Sequence, residues 1–139
     1  MSDHHHHQPD LAGLTRNQSL VMNQLACAVG PLSAYTILDQ LRVHGLRAPL
    51  QVYRALDKLV EIGMVHRLES LNAFVACRQP GCETNETIAF AICDICGHVA
   101  EISDPKIARD LSAIAEAAQF VPRKTTVELR GACRLCQAA

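Results

Sequence analysis

The sequence predicts a mixed α/β (α+β) chain in two units: three helices and a β-hairpin, then a small unit of strand, strand, helix and strand. Three observations carry this. Apolar residues recur at helical spacing in three successive segments between residues 17 and 62. Two short runs of strand-forming residues follow, MVHRLE (64–69) and AFVAC (73–77), separated by Ser-Leu-Asn. The stretch RQPGCETNET (78–87), rich in Pro, Gly and polar residues, then breaks the chain before a second set of elements.

The first helix is expected from Asn17 to Val29, with Leu20, Val21, Leu25 and Val29 on one face and Gly30-Pro31 as the stop. Cys27 falls on the apolar side and is expected in the core. The second helix opens with Ser33 as N-cap and ends near Gly45, burying Ile37, Leu38 and Leu41. His44, near its end, suits the negative pole of the helix dipole. The third segment, LQVYRALDKLVEIG, places Leu50, Tyr53, Leu56, Leu59 and Val60 at helical spacing, and Gly63 ends it. Three helices followed by a hairpin is the winged helix-turn-helix pattern, in which the third helix enters the major groove of DNA and the wing touches its backbone.

After the break come a strand at TIAFAIC, a second at HVAEI, a helix over PKIARDLSAIAEAA with Asp104 as cap and Pro105 in the first turn, and a strand within KTTVELRGAC. This small α/β unit is too thin to bury both its faces, so pairing with a second copy as a dimerisation domain is expected. The expected organisation is a disordered tail (1–12), a winged-helix domain (13–77), a hinge (78–87) and a dimerisation and metal-binding domain (88–139). The tail contains four consecutive histidines, either native or left from a tag, and is assigned no site.

The 139 residues are 49% hydrophobic and 19% charged, a globular composition. Net charge is −1, but the halves differ: residues 11–82 carry seven Lys/Arg against four acids, and residues 83–139 six against eight. A mildly basic first half fits a DNA-reading module. No apolar run approaches the roughly 20 residues of a membrane helix, and no secretory signal opens the chain, so the expected compartment is the cytoplasm. There, paired cysteines serve metal binding or catalysis more often than disulfides.

Cys93 and Cys96 form one CxxC hook in CDICG, and after 36 intervening residues Cys133 and Cys136 form another in CRLC. A CxxC lets two thiolates reach one ion from a tight turn, and two hooks complete the tetrahedron that zinc prefers. A thioredoxin-like dithiol needs a single CxxC opening a helix. Here there are two, and no helix follows either directly, so a structural four-cysteine zinc site is expected. No G-x-S-x-G, P-loop or HExxH occurs, and the chain is not expected to be an enzyme or to take a small organic substrate.

The motifs VYRALDKLVEIGMVHRLES, CDICGHVAEI and CRLC, in that order across about residues 14–136, resemble the ferric uptake regulator (Fur) family of metal-sensing repressors. Within it the chain is most similar to the zinc uptake regulators (Zur), notably through Tyr35 and Cys77; the stretch before the first hook, NETIAFAIC, lacks the histidines of iron and peroxide sensors. The resemblance implies a zinc-responsive repressor of zinc-uptake genes. It would bind double-stranded operator DNA as a metal-loaded homodimer with one structural and one regulatory zinc per monomer. Carried over by position, the regulatory ligands are His66, Cys77 and Glu101. His66 falls on the first wing strand and Cys77 just past the second, so an ion there would join wing and hinge. The fourth position departs from the family's usual histidine; Cys82 is preferred for its soft thiolate, with Glu83, Glu86 or water as alternatives.

On the third helix the resemblance points to Tyr53 and Arg54 as leading DNA contacts. Arg54 suits a bidentate contact to guanine, Gln51 suits adenine, and Arg16 and Tyr35 are candidates for the phosphate backbone. An iron- or peroxide-responsive regulator, a thiol oxidoreductase and a zinc-storage protein are the competing assignments. Cys77 argues against the iron sensor, metal content separates the thiol oxidoreductase, and a storage protein would bind several zincs but no specific duplex.

Overall fold

The computed structural model describes residues 13–78 and 87–137. The expectations for the histidine tail, Cys82, Glu83 and Glu86 lie outside these residues. The chain divides into two compact units at the Cys77–Arg78 bond.

The first unit comprises α1 (Arg16–Ala26), α2 (Ala34–Leu41), a 3-10 turn (Arg42–His44), α3 (Pro49–Glu61), β1 (Val65–Leu68) and β2 (Ala73–Ala76). Thr15 caps α1 in a reciprocal box: its hydroxyl accepts from Gln18 N–H at 3.2 Å, and the Gln18 side chain accepts from Thr15 N–H at 3.0 Å. Ser33 caps α2 as expected, accepting from Thr36 N–H at 3.1 Å. β1 and β2 pair antiparallel, His66 opposite Val75, and Asn72 (φ 48°) supplies the left-handed residue of the turn. Leu32 and Phe74 exchange backbone hydrogen bonds at 3.0 and 2.8 Å, tying the entry to α2 onto the wing. This is a winged helix-turn-helix.

Its core gathers Val21, Met22 and Leu25 from α1, Ile37, Leu38 and Leu41 from α2, and Val52, Ala55, Leu56 and Leu59 from α3, closed by Val65, Phe74 and Ala76 of the wing. Several sequence expectations change here. α1 stops at Ala26, so Val29 lies beyond it, and Cys27 is exposed rather than in the core. Cys27 is two residues past Leu25, about 200° around the helix from the buried stripe. Leu50 and Val60 likewise face out, because the buried stripe of α3 runs through Val52, Ala55, Leu56 and Leu59. Leu56→Ala is therefore expected to cost about 2–5 kcal/mol in denaturant unfolding. Leu50→Ala, at a side chain 57% exposed, should stay within about 0.5 kcal/mol.

The second unit comprises β3 (Ile88–Cys93), β4 (Val99–Ser103), α4 (Pro105–Ala117) and β5 (Val127–Gly131). The sheet order is β4-β3-β5, with β4 antiparallel and β5 parallel to the central β3. As the middle strand, β3 buries Ala89, Phe90, Ile92 and Cys93 in a near-continuous apolar run. Asp104 caps α4, accepting from Lys106 N–H at 2.9 Å, with Pro105 in the first turn. No residue of α4 is buried, and Ile114, Phe120, Val121 and Leu129 are exposed. Among the described residues, no helix is long and apolar enough to cross a membrane.

Candidate metal centres and nucleic-acid face

The two hooks converge because β3 and β5 run parallel side by side and both end at the same edge. Cys93 lies opposite Gly131 in that pairing, so the turn after each strand starts at one height. The four sulfurs of Cys93, Cys96, Cys133 and Cys136 all lie within 4.8 Å of one another. Thiolates about 2.3 Å from a zinc ion occupy a tetrahedron with edges of about 3.8 Å. The 3.6 Å between the Cys96 and Cys133 sulfurs suits such an edge, and all four are free thiols.

Backbone geometry shapes each hook. Gly97 takes φ 78° as the first hook turns back, and its N–H donates to Cys93 O at 3.0 Å. The Cys93 sulfur accepts N–H bonds from Cys96 at 3.4 Å and Cys133 at 3.3 Å, so one donor comes from each hook. These two bonds favour the thiolate and hold the Cys93 thiol down to about 6. Cys133 is also lowered, chiefly by the Cys136 N–H. At Cys96 the His98 N–H lowers the thiol, but the Cys93 and Cys133 sulfurs outweigh it and the net direction is up. Cys136 is pushed up to about 12, first by the Cys133 sulfur. Four thiols this close cannot all ionise without a cation between them, whereas a divalent soft metal stabilises all four thiolates at once.

Outside the sulfurs, Arg130 at the end of β5 reaches Asp94 inside the first hook, Nη2 to Oδ1 at 2.8 Å and Nε to Oδ1 at 3.0 Å. Asp94 N–H also donates to Gly131 O at 2.8 Å. This strap between the hooks was not foreseen; the single cue was an acid within CDIC and a base just before the second hook.

In the first unit, His66 on β1 and Cys77 just past β2 offer ligand atoms within 4.8 Å of each other. Cys77 N–H donates to Met64 O at 2.9 Å, extending the hairpin by one rung and setting the sulfur beside the strand. Burial lowers the His66 pKa, favouring the neutral imidazole that metals require. Cys77 is disulfide-bonded in this structure, so ligation there requires reduction to the thiolate. Glu101 belongs to the second unit, on β4 opposite Phe90. Burial raises its pKa, partly offset by Arg78, whose backbone N–H donates to both carboxylate oxygens at 3.1 and 3.3 Å.

On the candidate nucleic-acid face, Arg54 is exposed on α3. Tyr53 is half-buried against the core, so its ring is anchored from behind. Tyr35, 62% exposed, stands at the start of α2. Arg16 donates to His44 O at 2.7 Å. Gln51 accepts through Oε1 from Arg47 N–H at 2.9 Å and Ala48 N–H at 3.1 Å.

With this geometry in place, sequence comparison gives the lineage. The sequence model of the ferric uptake regulator family matches residues 24–130. The chain belongs to the ferric uptake regulator family. Among Fur-family relatives, the zinc uptake regulation protein of Escherichia coli (strain K12) is 37% identical over 127 residues, covering 88% of this chain and 72% of that protein. The crystal structure of holo XcZur is 42% identical and covers 91% of this chain and 87% of its own, with a TM-score of 0.82. A zinc uptake regulator complexed with zinc and DNA is 36% identical, covers 90% and 83% respectively, and gives a TM-score of 0.81. The Helicobacter pylori ferric uptake regulator, 20% identical with a TM-score of 0.59, shares the fold.

Proposed function

We propose that this Fur-family chain is a zinc-responsive transcriptional repressor, binding operator DNA as a metal-loaded homodimer and repressing zinc-uptake genes. The observation that carries the zinc assignment is the soft donor pair His66 and Cys77 on the wing hairpin, next to the boundary between the units. Relatives named for zinc uptake regulation, at 36–42% identity, support it.

Cys93, Cys96, Cys133 and Cys136 would hold a structural zinc that closes the end of the β3–β5 sheet. His66, Cys77 and Glu101 would hold the regulatory zinc, with Cys82 proposed as fourth ligand. With Glu101 in that set a bound ion would link the α/β unit to the winged helix, so occupancy would select one arrangement of the two. The unburied apolar side of α4, with Leu111, Ile114, Ala115 and Phe120 around one hollow, supports pairing with a second copy.

Arg54 and Tyr53 are proposed as base-facing residues, and Tyr35 and Arg16 as neighbours of the phosphates. Arg54→Ala is expected to cost about 1–3 kcal/mol of operator affinity and to relax specificity at one base position, measured by titrating single-substitution duplexes.

The deciding experiment counts zinc per monomer in reduced protein before and after mild chelation, with duplex binding followed in parallel and iron(II) offered as competitor. About two zincs falling to about one, with operator binding lost and folding retained, supports the proposal. A single zinc to which DNA affinity is indifferent, or restoration by iron(II) but not zinc, overturns it.

A further inference from the structure

We infer that Gln51, which stands where a base reader would, is a positioning residue that docks the start of α3 onto the turn before it. This rests on the proposed DNA reading and changes what one residue of that face does. A glutamine reads adenine by accepting from N6 through its amide oxygen while donating to N7 through its amide nitrogen. The Gln51 oxygen has two lone pairs, and both are engaged, by Arg47 N–H at 2.9 Å and Ala48 N–H at 3.1 Å. Both partners are donors, so the oxygen must face them. Pairing with adenine would release two backbone N–H groups.

The local sequence explains why α3 uses Gln51 this way. Its N-cap is Ala48, which carries no oxygen to accept from the first turn, and Pro49 follows with no N–H. Gln51 at the third helical position supplies the missing acceptor from inside the helix, as the far half of a capping box does. The other end of the same connector is held independently. Arg16 donates to His44 O at 2.7 Å, Gly45 takes φ 97°, and Leu46 is 1% exposed in the core. Residues 44–48 are thus strapped by a side chain of α1 on one side and of α3 on the other. Arg54 lies three residues, just under a full turn, beyond Gln51 on α3, so the direction in which it leaves the helix depends on how that turn is seated.

The test uses full-length, reduced, zinc-loaded protein as wild type, Gln51→Ala and Gln51→Glu, with a duplex selected by wild type from a random pool and its single base-pair variants. Amide exchange of Arg47 and Ala48 is measured without DNA. The expected result is that Gln51→Ala weakens binding to every duplex by a common factor on the order of 2–30, with unchanged base preference. The two amides should exchange faster by a similar factor. Gln51→Glu should restore amide protection, because its carboxylate accepts the same two bonds, although it cannot donate to adenine N7. Loss of discrimination at one adenine position in Gln51→Ala, with Arg47 and Ala48 exchange unchanged, overturns the inference. If wild type selects no duplex, the repressor proposal falls with any base-reading role; unchanged amide exchange in Gln51→Ala would then also remove the positioning role.

Discussion

Replacing Cys133 or Cys136 with serine is expected to unfold the second unit while the winged helix stays folded. The second unit has a three-stranded sheet, buries no residue of its helix, and brings the ends of β3 and β5 together where the two hooks meet. A unit with so little core draws its stability from cross-links or metal, and zinc binding by a four-thiolate site is then part of its folding free energy. The first unit holds a continuous core from Val21 to Ala76 and needs none of these cysteines. Far-UV circular dichroism with two-probe thermal melts should show one transition retained near its original midpoint and one abolished. Zinc content should drop by about one per monomer. Cys27→Ser is the matched control, because Cys27 is exposed and outside both groups of candidate metal ligands. Retention of both transitions in Cys133→Ser at zero hook zinc would show that the four thiols are ornamental to folding.

How much of this was legible in the sequence depended on whether a signal was local. Element type came through because each helix carries its own apolar stripe and stop, as Ser33 with Ile37, Leu38 and Leu41 shows. The hooks came through because two CxxC spacings at strand ends leave few chemistries open. Side-chain facing at the helix ends did not. Cys27, Leu50 and Val60 are apolar residues within two positions of a buried one, and each such step turns the side chain by about 100°, a phase that a short window does not resolve. Two contacts between residues remote in sequence were not foreseen: Arg16 reaching His44, and Arg130 reaching Asp94. Gln51 is the instructive case. Its place on α3 suits adenine, while Ala48 and Pro49, three and two residues earlier, leave a first turn in want of the acceptor that its side chain supplies.

Substituting His66 by alanine, or Cys77 by serine, is expected to abolish the zinc response of DNA binding while leaving the hook zinc and both folded units in place. His66 and Cys77 sit on the wing hairpin, and neither belongs to the four-thiol cluster. Coupling free energies between a ligand site and a remote function usually correspond to changes on the order of 5–150-fold, so operator affinity in saturating zinc should fall by a factor in that range. Oxidised wild-type protein should resemble Cys77→Ser and recover on reduction, because the disulfide at Cys77 removes the thiolate. Acid should act in the same direction. His66 is lowered by burial, so its neutral form persists below the ordinary imidazole range, whereas Glu101 is raised and takes up its proton earlier than an ordinary carboxylate on acidification. With Glu101 as the proposed ligand, zinc would have to displace that proton, so operator binding at fixed free zinc should begin to weaken above the usual carboxylate range. Glu101→Gln keeps the shape, removes the proton competition and should flatten this limb of the pH profile, though with weaker zinc binding throughout. On the proposed reading Arg54 would contact bases wherever the winged helix is presented, so Arg54→Ala should lower affinity equally in zinc-loaded and His66→Ala protein. An Arg54→Ala effect confined to the loaded form would instead mean that zinc acts on the reading helix itself, and not on the arrangement of the two units.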